Sequence, residues 1–435
     1  MQTNLETISP LERRVTMAVP SEQIEKEVDE RVKHLSRTVK MSGFRPGKVP
    51  LKIIAQQYGP QIRSEVVGDA VQKAFNEVVT EQKLRVAGYP NIEPKLDGVD
   101  EKTLAFSATF EVYPEFKPGD VASSKIERPV LQVSDADVDK TIEILRKQRV
   151  TYQDVARAAQ SGYRVTADFT GRIDGIEFPG GKGAGVAVVI GEGRMLPDFE
   201  AGLTGMTAGQ AKTFDVKFPD DYGGKEVAGK TASFESVVSK VEEPVLPVVD
   251  GEFAKSLGVA DGDTAKMRQE IRGNVEREVK KRIDNEVKQK VMQALIDVTP
   301  VEVPKALVEM EVQRLVQSAR ADLESRGIKM EQLPINPEIF EAQAKRRVTL
   351  GLILAELVKA NDLNPKPEQI RSRVDEYAGT YEHPGEVVKW IYSEPQRLAE
   401  FEGMAIESNV VSWVLDRAKV EDKAVGFDEL MEKAA

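Results

Sequence analysis

The apolar residues Met267, Ile271, Val275, Val279, Ile283, Val287, Val291 and Leu295 recur every fourth position, with mostly charged or polar residues between them. An α-helix advances about 100° per residue, so four residues overshoot a turn by about 40° and the stripe winds around a helix roughly 50 Å long. A helix that long with so narrow an apolar stripe does not fit inside a globular core. It predicts an extended helical arm packed along one thin seam. The other arrangement that such a stripe allows is a long coiled-coil homodimer of the free protein, although a spacing of about four departs from the roughly 3.5 of a left-handed coil.

Around this segment the 435-residue chain changes character, and it is long for a single core. Residues 1–115 read as a small α+β domain. Arg13 to Pro20 alternates as a strand, and Ser21 is placed to cap a helix bearing Ile24, Val28 and Val32. A second helix runs from Leu51 to Gln82 with a break expected near Gly59-Pro60, and Phe106, Ala108, Phe110 and Val112 alternate as a strand. Residues 116–149 read as a linker. Residues 150–245 hold short alternating runs such as 164–169 and 213–218 between glycine-rich turns, with Asp174-Gly175 as a hairpin signal, and predict an antiparallel β domain. Residues 246–435 are expected to be helical, with helices at 304–326, 337–360, 366–379 and 394–419. The fold class is thus multidomain α+β: an N-terminal α+β domain, a central antiparallel β domain and an elongated all-α C-terminal domain.

Composition excludes several chemistries. With no cysteine and only His34 and His383, the chain has no thiol nucleophile, disulfide or zinc-thiolate set and too little imidazole for a His-rich metal site. The polar, charged start carries no secretory h-region, and the longest apolar run, 348–358, is interrupted by Gly351 and Glu356 and falls short of the roughly 20 residues that span a bilayer. Cytoplasmic residence without membrane contact is the expectation. No glycine-rich loop carries the spacing of a nucleotide-binding P-loop; Gly180 to Gly185 lacks it, so no cofactor is expected.

The octapeptide Gly43-Phe44-Arg45-Pro46-Gly47-Lys48-Val49-Pro50 sets an aromatic ring and two cations on a loop stiffened by glycine and proline. From Arg31 to Lys52 there are seven cations (Arg31, Lys33, Arg37, Lys40, Arg45, Lys48, Lys52) and no acid, in a chain of net charge -11. A basic patch on an acidic protein points to local contact with an anionic partner, nucleic acid or a nucleic-acid-rich particle; an ordinary solvated turn is the alternative that charge alone leaves open. The loop resembles the ribosome-docking signature Gly-Phe-Arg-x-Gly-Lys-x-Pro of the trigger factor family, with Pro46 and Val49 at the free positions, and the resemblance extends over essentially the whole chain. It implies that Gly43, Phe44, Arg45, Pro46, Gly47 and Lys48 form the ribosome-binding loop. The implied partners are protein and RNA of the large ribosomal subunit near the tunnel exit.

The middle region, from Val165-Thr166-Ala167-Asp168-Phe169 through Phe199-Glu200-Ala201-Gly202, resembles the FKBP-type peptidyl-prolyl isomerases, a domain that the trigger factor family carries. The resemblance implies a catalytic pocket lined by Phe169, Phe178, Met195, Leu196, Phe199, Tyr222 and Phe234, the alignment at Tyr222 requiring a gap. Pro179 stands where such enzymes commonly have Asp, and Phe199 where they have a Trp floor. Phe214 and Phe218 are assigned to the β-domain core. Isomerisation needs no nucleophile, acid or base: the barrier of about 18–20 kcal/mol comes from amide resonance, and an apolar pocket that strips water from the planar amide favours the less polar twisted state.

The helical region mixes apolar stripes with solvating charge, which suits the holding of unfolded segments without sequence preference. Met267, Met292, Met310, Met330 and Met404 would add adaptable contacts if exposed, and core filling is the competing role for each. The whole reads as an ATP-independent, ribosome-associated chaperone for nascent and unfolded polypeptides with an attached prolyl isomerase. The alternative is a free-standing FKBP-type isomerase whose helices dimerise it.

Overall fold

The computed structural model describes residues 3–42, 44, 47, 49–95, 103–327 and 335–432. The chain divides into two compact units, one made of 1–128 with 285–423 and the other of 129–284 with 424–435. Each is built from segments remote in sequence.

The first unit opens with strands β1 (Thr3–Thr7) and β2 (Glu12–Pro20), helices α1 (Ser21–Thr38) and α2 (Leu51–Glu81), and strands β3 (Val86–Lys95) and β4 (Thr103–Val112). The strands form an antiparallel sheet of order β1-β2-β4-β3. Strand alternation puts Val15, Met17 and Val19 on the face covered by the helices, where they meet Ile24 and Val32 of α1 and Ile54, Ile62, Val66, Val71 and Phe75 of α2. Phe75 stacks edge-on against Phe110 with centroids 5.1 Å apart. Two expectations are corrected here. Ser21 is the first residue inside α1 rather than its cap, since Pro20 occupies that position and makes no side-chain cap. The helix α2 runs unbroken through Pro60, whose missing N–H removes one ladder bond while buried residues on both sides hold the helix to the sheet.

Segment 116–149, read from the sequence as a linker, contains strand β5 (Lys125–Val130) and helix α3 (Asp135–Gln148). A reciprocal cap explains where α3 starts: the Asp137 carboxylate accepts from Ser134 N–H at 2.9 Å while Ser134 Oγ accepts from Asp137 N–H at 3.4 Å. The β domain of the second unit follows with β6 (Thr151–Asp154), β7 (Arg164–Ile173), β8 (Ile176–Val189), helix α4 (Pro197–Leu203), β9 (Ala211–Lys217) and β10 (Thr231–Val245). Its five strands run in the order β6-β10-β7-β8, with β9 also on β10, and the pairings are antiparallel. Asp174 and Gly175 both adopt positive φ, 53° and 81°, and close the β7–β8 hairpin between the paired Ile173 and Ile176.

After α5 (Gly251–Ser256) comes α6 (Thr264–Val298), 35 residues long, as the recurring stripe requires. The division between the units falls within it, after Asp284. Its early stripe residues Met267, Ile271, Val275 and Val279 pack in the second unit with Val138 and Ile142 of α3, Phe253, Val259 and Leu430. Further along, Val287, Val291 and Leu295 are buried as well. The stripe is therefore covered by the chain's own residues and presents no bare coiled-coil seam. Beyond it lie α7 (Lys305–Ser325), a 3-10 turn (Pro337–Phe340), α8 (Glu341–Asn361), α9 (Pro367–Ala378), α10 (Pro384–Tyr392), α11 (Pro395–Leu415), strand β11 (Lys419–Ala424), which pairs with β5, and α12 (Phe427–Glu432). Within the first unit α7 begins on the N-terminal sheet: Pro304 gives it no side-chain cap, and the Glu111 carboxylate of β4 accepts from Ala306 N–H at 2.7 Å. An acid on another element thus serves the positive helix end.

Candidate active site

The β domain gathers all seven pocket residues expected from the sequence around one cavity of about 790 Å³. They arrive from six parts of the fold. Phe169 comes from β7, Phe178 from β8, Phe234 from β10 and Phe199 from α4, while Met195 and Leu196 lie on the loop before α4 and Tyr222 on the connection after β9. The cavity is graded in exposure. Phe199 and Phe234 form a floor only 2% and 5% exposed, Phe169, Phe178, Met195 and Leu196 are half-buried walls, and Tyr222 stands at the mouth, 42% exposed.

The rings interlock edge to face, the arrangement that ring quadrupoles favour. Phe234 lies 5.2 Å from Phe199, 5.9 Å from Phe169 and 6.1 Å from Phe178, and Phe169 lies 5.1 Å from Phe199. Phe214 supports the floor from behind at 5.5 Å from Phe199. Its close approach depends on Gly202, where an added Cβ would fall 2.2 Å from the Phe214 ring. Phe199 therefore has a fixed tilt.

One assignment needs correction and several lining residues were not foreseen. Phe218, assigned to the core alone, is buried and also lines the cavity, touching Phe178 at 5.9 Å and Tyr222 at 4.9 Å. The alternation of β9 carried the signal, because Phe214 and Val216 share one face of that strand and Phe218, just past its end, continues the alternation. Pro179 is exposed at the rim, and Arg194, Lys225 and Glu226 add charge there. The floor carries no acid, base or nucleophile, so the arrangement can desolvate and shape a bound segment but has nothing there with which to attack it.

Further along β10, away from the cavity, Glu242 is 2% exposed and accepts a two-pronged bond from Arg164, at 2.7 and 2.8 Å, and a third from Lys240 at 2.8 Å. These bonds hold its carboxyl down at about 2 against an ordinary 4.5, the Arg164 hydrogen bonds acting most strongly.

The basic loop joins α1 to α2. Gly43, Arg45, Pro46 and Lys48 lie outside the described residues. Phe44 is 38% exposed and donates its N–H to Met41 O at 3.1 Å, Gly47 takes φ +78°, and Val49 is buried with the core of the first unit. Of the flanking cations, Arg31 is engaged by Asp69 at 2.7 Å and Glu27 at 3.0 Å, so it adds little to an anion-binding face. Lys33, Arg37, Lys40 and Lys52 are exposed without an ion pair among the described residues. In the helical region Met267 and Met292 are buried core residues, whereas Met310 and Met404 are 45% and 51% exposed; Met330 lies outside the described residues.

A five-stranded antiparallel sheet closed by a short helix over a phenylalanine-floored cavity defines an FKBP-type peptidyl-prolyl isomerase domain, and residues 155–242 match the FKBP-type peptidyl-prolyl cis-trans isomerase family model. The flanking parts match as well, residues 1–145 to the bacterial trigger factor protein and 263–416 to the C-terminus of that protein. The trigger factor of Aromatoleum aromaticum is 55% identical over 435 residues, covering 100% of both chains. That of Dechloromonas aromatica is 55% identical over 431 residues, 99% of each, and that of Herminiimonas arsenicoxydans 53% over 444 residues, also 99% of each. The chain belongs to the trigger factor family. It is a chaperone with an FKBP-type prolyl isomerase domain and a ribosome-binding N-terminal domain, which sets aside the free-standing isomerase.

Proposed function

We propose that the cavity floored by Phe199 and Phe234 is the site of X-Pro isomerisation, with Phe169, Phe178, Met195, Leu196 and Tyr222 as its walls and mouth. The carrying observation is the convergence of these seven residues on one apolar cavity with a buried floor. A prolyl ring seated on that floor loses water on both faces. The planar amide, the more polar form, gives up more hydration than the twisted one, so the barrier falls without any bond being broken. A protease-coupled assay on an X-Pro peptide tests this: truncating Phe199 or Phe234 to Ala abolishes the rate enhancement, and full activity in either variant removes the assignment.

The loop Gly43, Phe44, Arg45, Pro46, Gly47, Lys48 is assigned to docking on protein and RNA of the large ribosomal subunit beside the tunnel exit. Arg45 can grip phosphate or carboxylate two-pronged, Lys48 adds a point charge, and the exposed Phe44 supplies apolar area. Residues 1–115 then form the docking domain, 116–149 the connection, 150–245 the isomerase and 246–435 the surface that holds nascent and unfolded chains, all working in the cytoplasm. Exposed Met310, Ile339, Tyr377, Trp390 and Met404 on the helices support the last of these assignments. Ribosome cosedimentation of the triple variant Phe44→Ala, Arg45→Ala, Lys48→Ala tests the docking role, which fails if binding is undiminished.

A further inference from the structure

Two adjacent residues of α4 serve the cavity from opposite sides. Phe199 points into it as the floor, and the next residue, Glu200, points away and is 6% exposed. Its two carboxylate oxygens accept from backbone alone: Oε2 from Gly191 N–H at 2.7 Å and Oε1 from Met195 N–H at 3.2 Å. Among the described residues it forms no ion pair, in contrast to Glu242, whose charge meets Arg164 and Lys240. Burying a carboxylate without a cation is costly, and an apolar residue of similar volume would serve stability better.

The two bonds span the loop 191–195, and that loop supplies Gly193, Arg194 and Met195 to the cavity, with Leu196 following directly. The base of the loop is tied separately, Ile190 N–H donating to Tyr163 O at 3.0 Å and Gly162 N–H to Ile190 O at 2.7 Å. From Gly191 to Met195 no other side chain accepts from a backbone N–H among the described residues, the one further side-chain contact of the loop being the exposed pair of Arg194 with Glu192 at 3.0 Å. Glu200 is thus the strut between the helix that carries the floor and the loop that carries one wall.

We infer that Glu200 is a positioning residue for prolyl isomerisation, holding Met195 and Leu196 at the distance from Phe199 that suits the twisted amide. This rests on the assignment of the cavity as the isomerase site. A wall set for the twisted state affects turnover more than ground-state binding, so the loss should appear in kcat with KM nearly unchanged. A displacement of about 1 Å can cost roughly a hundredfold in rate, and a partly relaxed loop costs less.

The test uses the full chain and a protease-coupled assay on an X-Pro peptide across substrate concentrations, with Glu200→Ala, Glu200→Gln, Phe199→Ala and Glu242→Gln. Glu200→Ala, which removes both acceptors, should lower kcat/KM about tenfold, and Glu200→Gln, which keeps one, about threefold, both through kcat. Glu242→Gln, which weakens a buried ion pair away from the cavity, should lower thermal stability and leave kcat and KM at wild-type values. Glu200→Gln, nearly isosteric, carries the comparison alone if Glu200→Ala does not fold. Wild-type kcat in the Glu200 variants, a loss confined to KM, or a similar loss in Glu242→Gln overturns the inference. If Phe199→Ala keeps full activity, the cavity assignment itself falls; if Phe199→Ala is inactive and the Glu200 variants are not, only the role of Glu200 falls.

Discussion

Acidification should weaken the β domain through one residue, Glu242. Its folded carboxyl sits at about 2 against an ordinary 4.5. A depressed folded value means that the unfolded chain takes up its proton first on acidification, so the stabilisation is complete above the unfolded value and is lost as pH falls from about 4.5 towards 2. The full difference corresponds to roughly 3.4 kcal/mol at neutral pH, falling to about 1.4 kcal/mol at pH 3. Arg164 is 36% exposed at its side chain, so solvent screening lowers both figures, and about 2 kcal/mol at neutral pH is the working value. Glu242→Gln removes the charge while keeping the shape. The assay is hydrogen exchange of β10 peptides in urea, because Trp390 and Trp413 both lie on the helices and do not report on this sheet. The expected result is a wild-type advantage of about 2 kcal/mol at pH 7 that shrinks by more than half at pH 3. An advantage equal at both pH values, or absent at both, refutes the electrostatic account.

Other perturbations separate packing from function. Phe199→Ala opens the pocket floor and should cost about 3–5 kcal/mol in the β domain as well as its activity, measurable by the same exchange method. Ser236 Oγ is fully buried without a hydrogen-bond partner among the described residues, so Ser236→Ala should be neutral or stabilise β10 by up to about 1 kcal/mol in urea unfolding; clear destabilisation would mean that the hydroxyl is satisfied. Pro60→Ala restores the missing N–H in the exposed middle of α2 and should raise the melting temperature of the first unit, an unchanged value showing that the helix there carries no penalty. Ribosome binding should weaken as salt rises from about 50 to 200 mM if phosphate contacts contribute, and the triple loop variant should show a flatter dependence in cosedimentation.

The parts of this fold that are legible in the sequence are those in which a local pattern and a long-range requirement agree. The four-residue stripe specifies α6 because each of its apolar positions also has a partner surface. Asp174-Gly175 specifies a hairpin because both residues tolerate positive φ. Local signals misled where tertiary packing overrode them: Gly59-Pro60 suggested a break, yet α2 is continuous across it, with Ile54, Ile62 and Val66 buried on either side. The segment 116–149 looked like a linker because β5 is short and half polar, with Lys125, Glu127 and Arg128 pointing outward, and its partner β11 lies about 290 residues away. The aromatic floor of the site was readable through resemblance, residue by residue. The strut at Glu200 was not, because a glutamate in a short helix has no pattern that marks it as buried, and its acceptors' partners are backbone groups on which a sequence is silent.

The arrangement of the two units bears on how such a chain is made. Residues 1–128 find the rest of their unit only after 285–423 have been synthesised, and the other unit lacks its closing helix α12 until the final stretch leaves the tunnel. Joining ends separated by a 129–284 insertion costs about 4–5 kcal/mol of loop entropy, a modest charge that contacts such as the Glu111 cap on α7 help to offset. The cores of the N-terminal sheet, within residues 5–112, and of the β domain, within 155–241, are nonetheless contiguous in sequence, so what waits for the end of synthesis is the addition of the late segments to each unit. A protein devoted to polypeptides leaving the ribosome thus has each of its own two units completed by the segment made last.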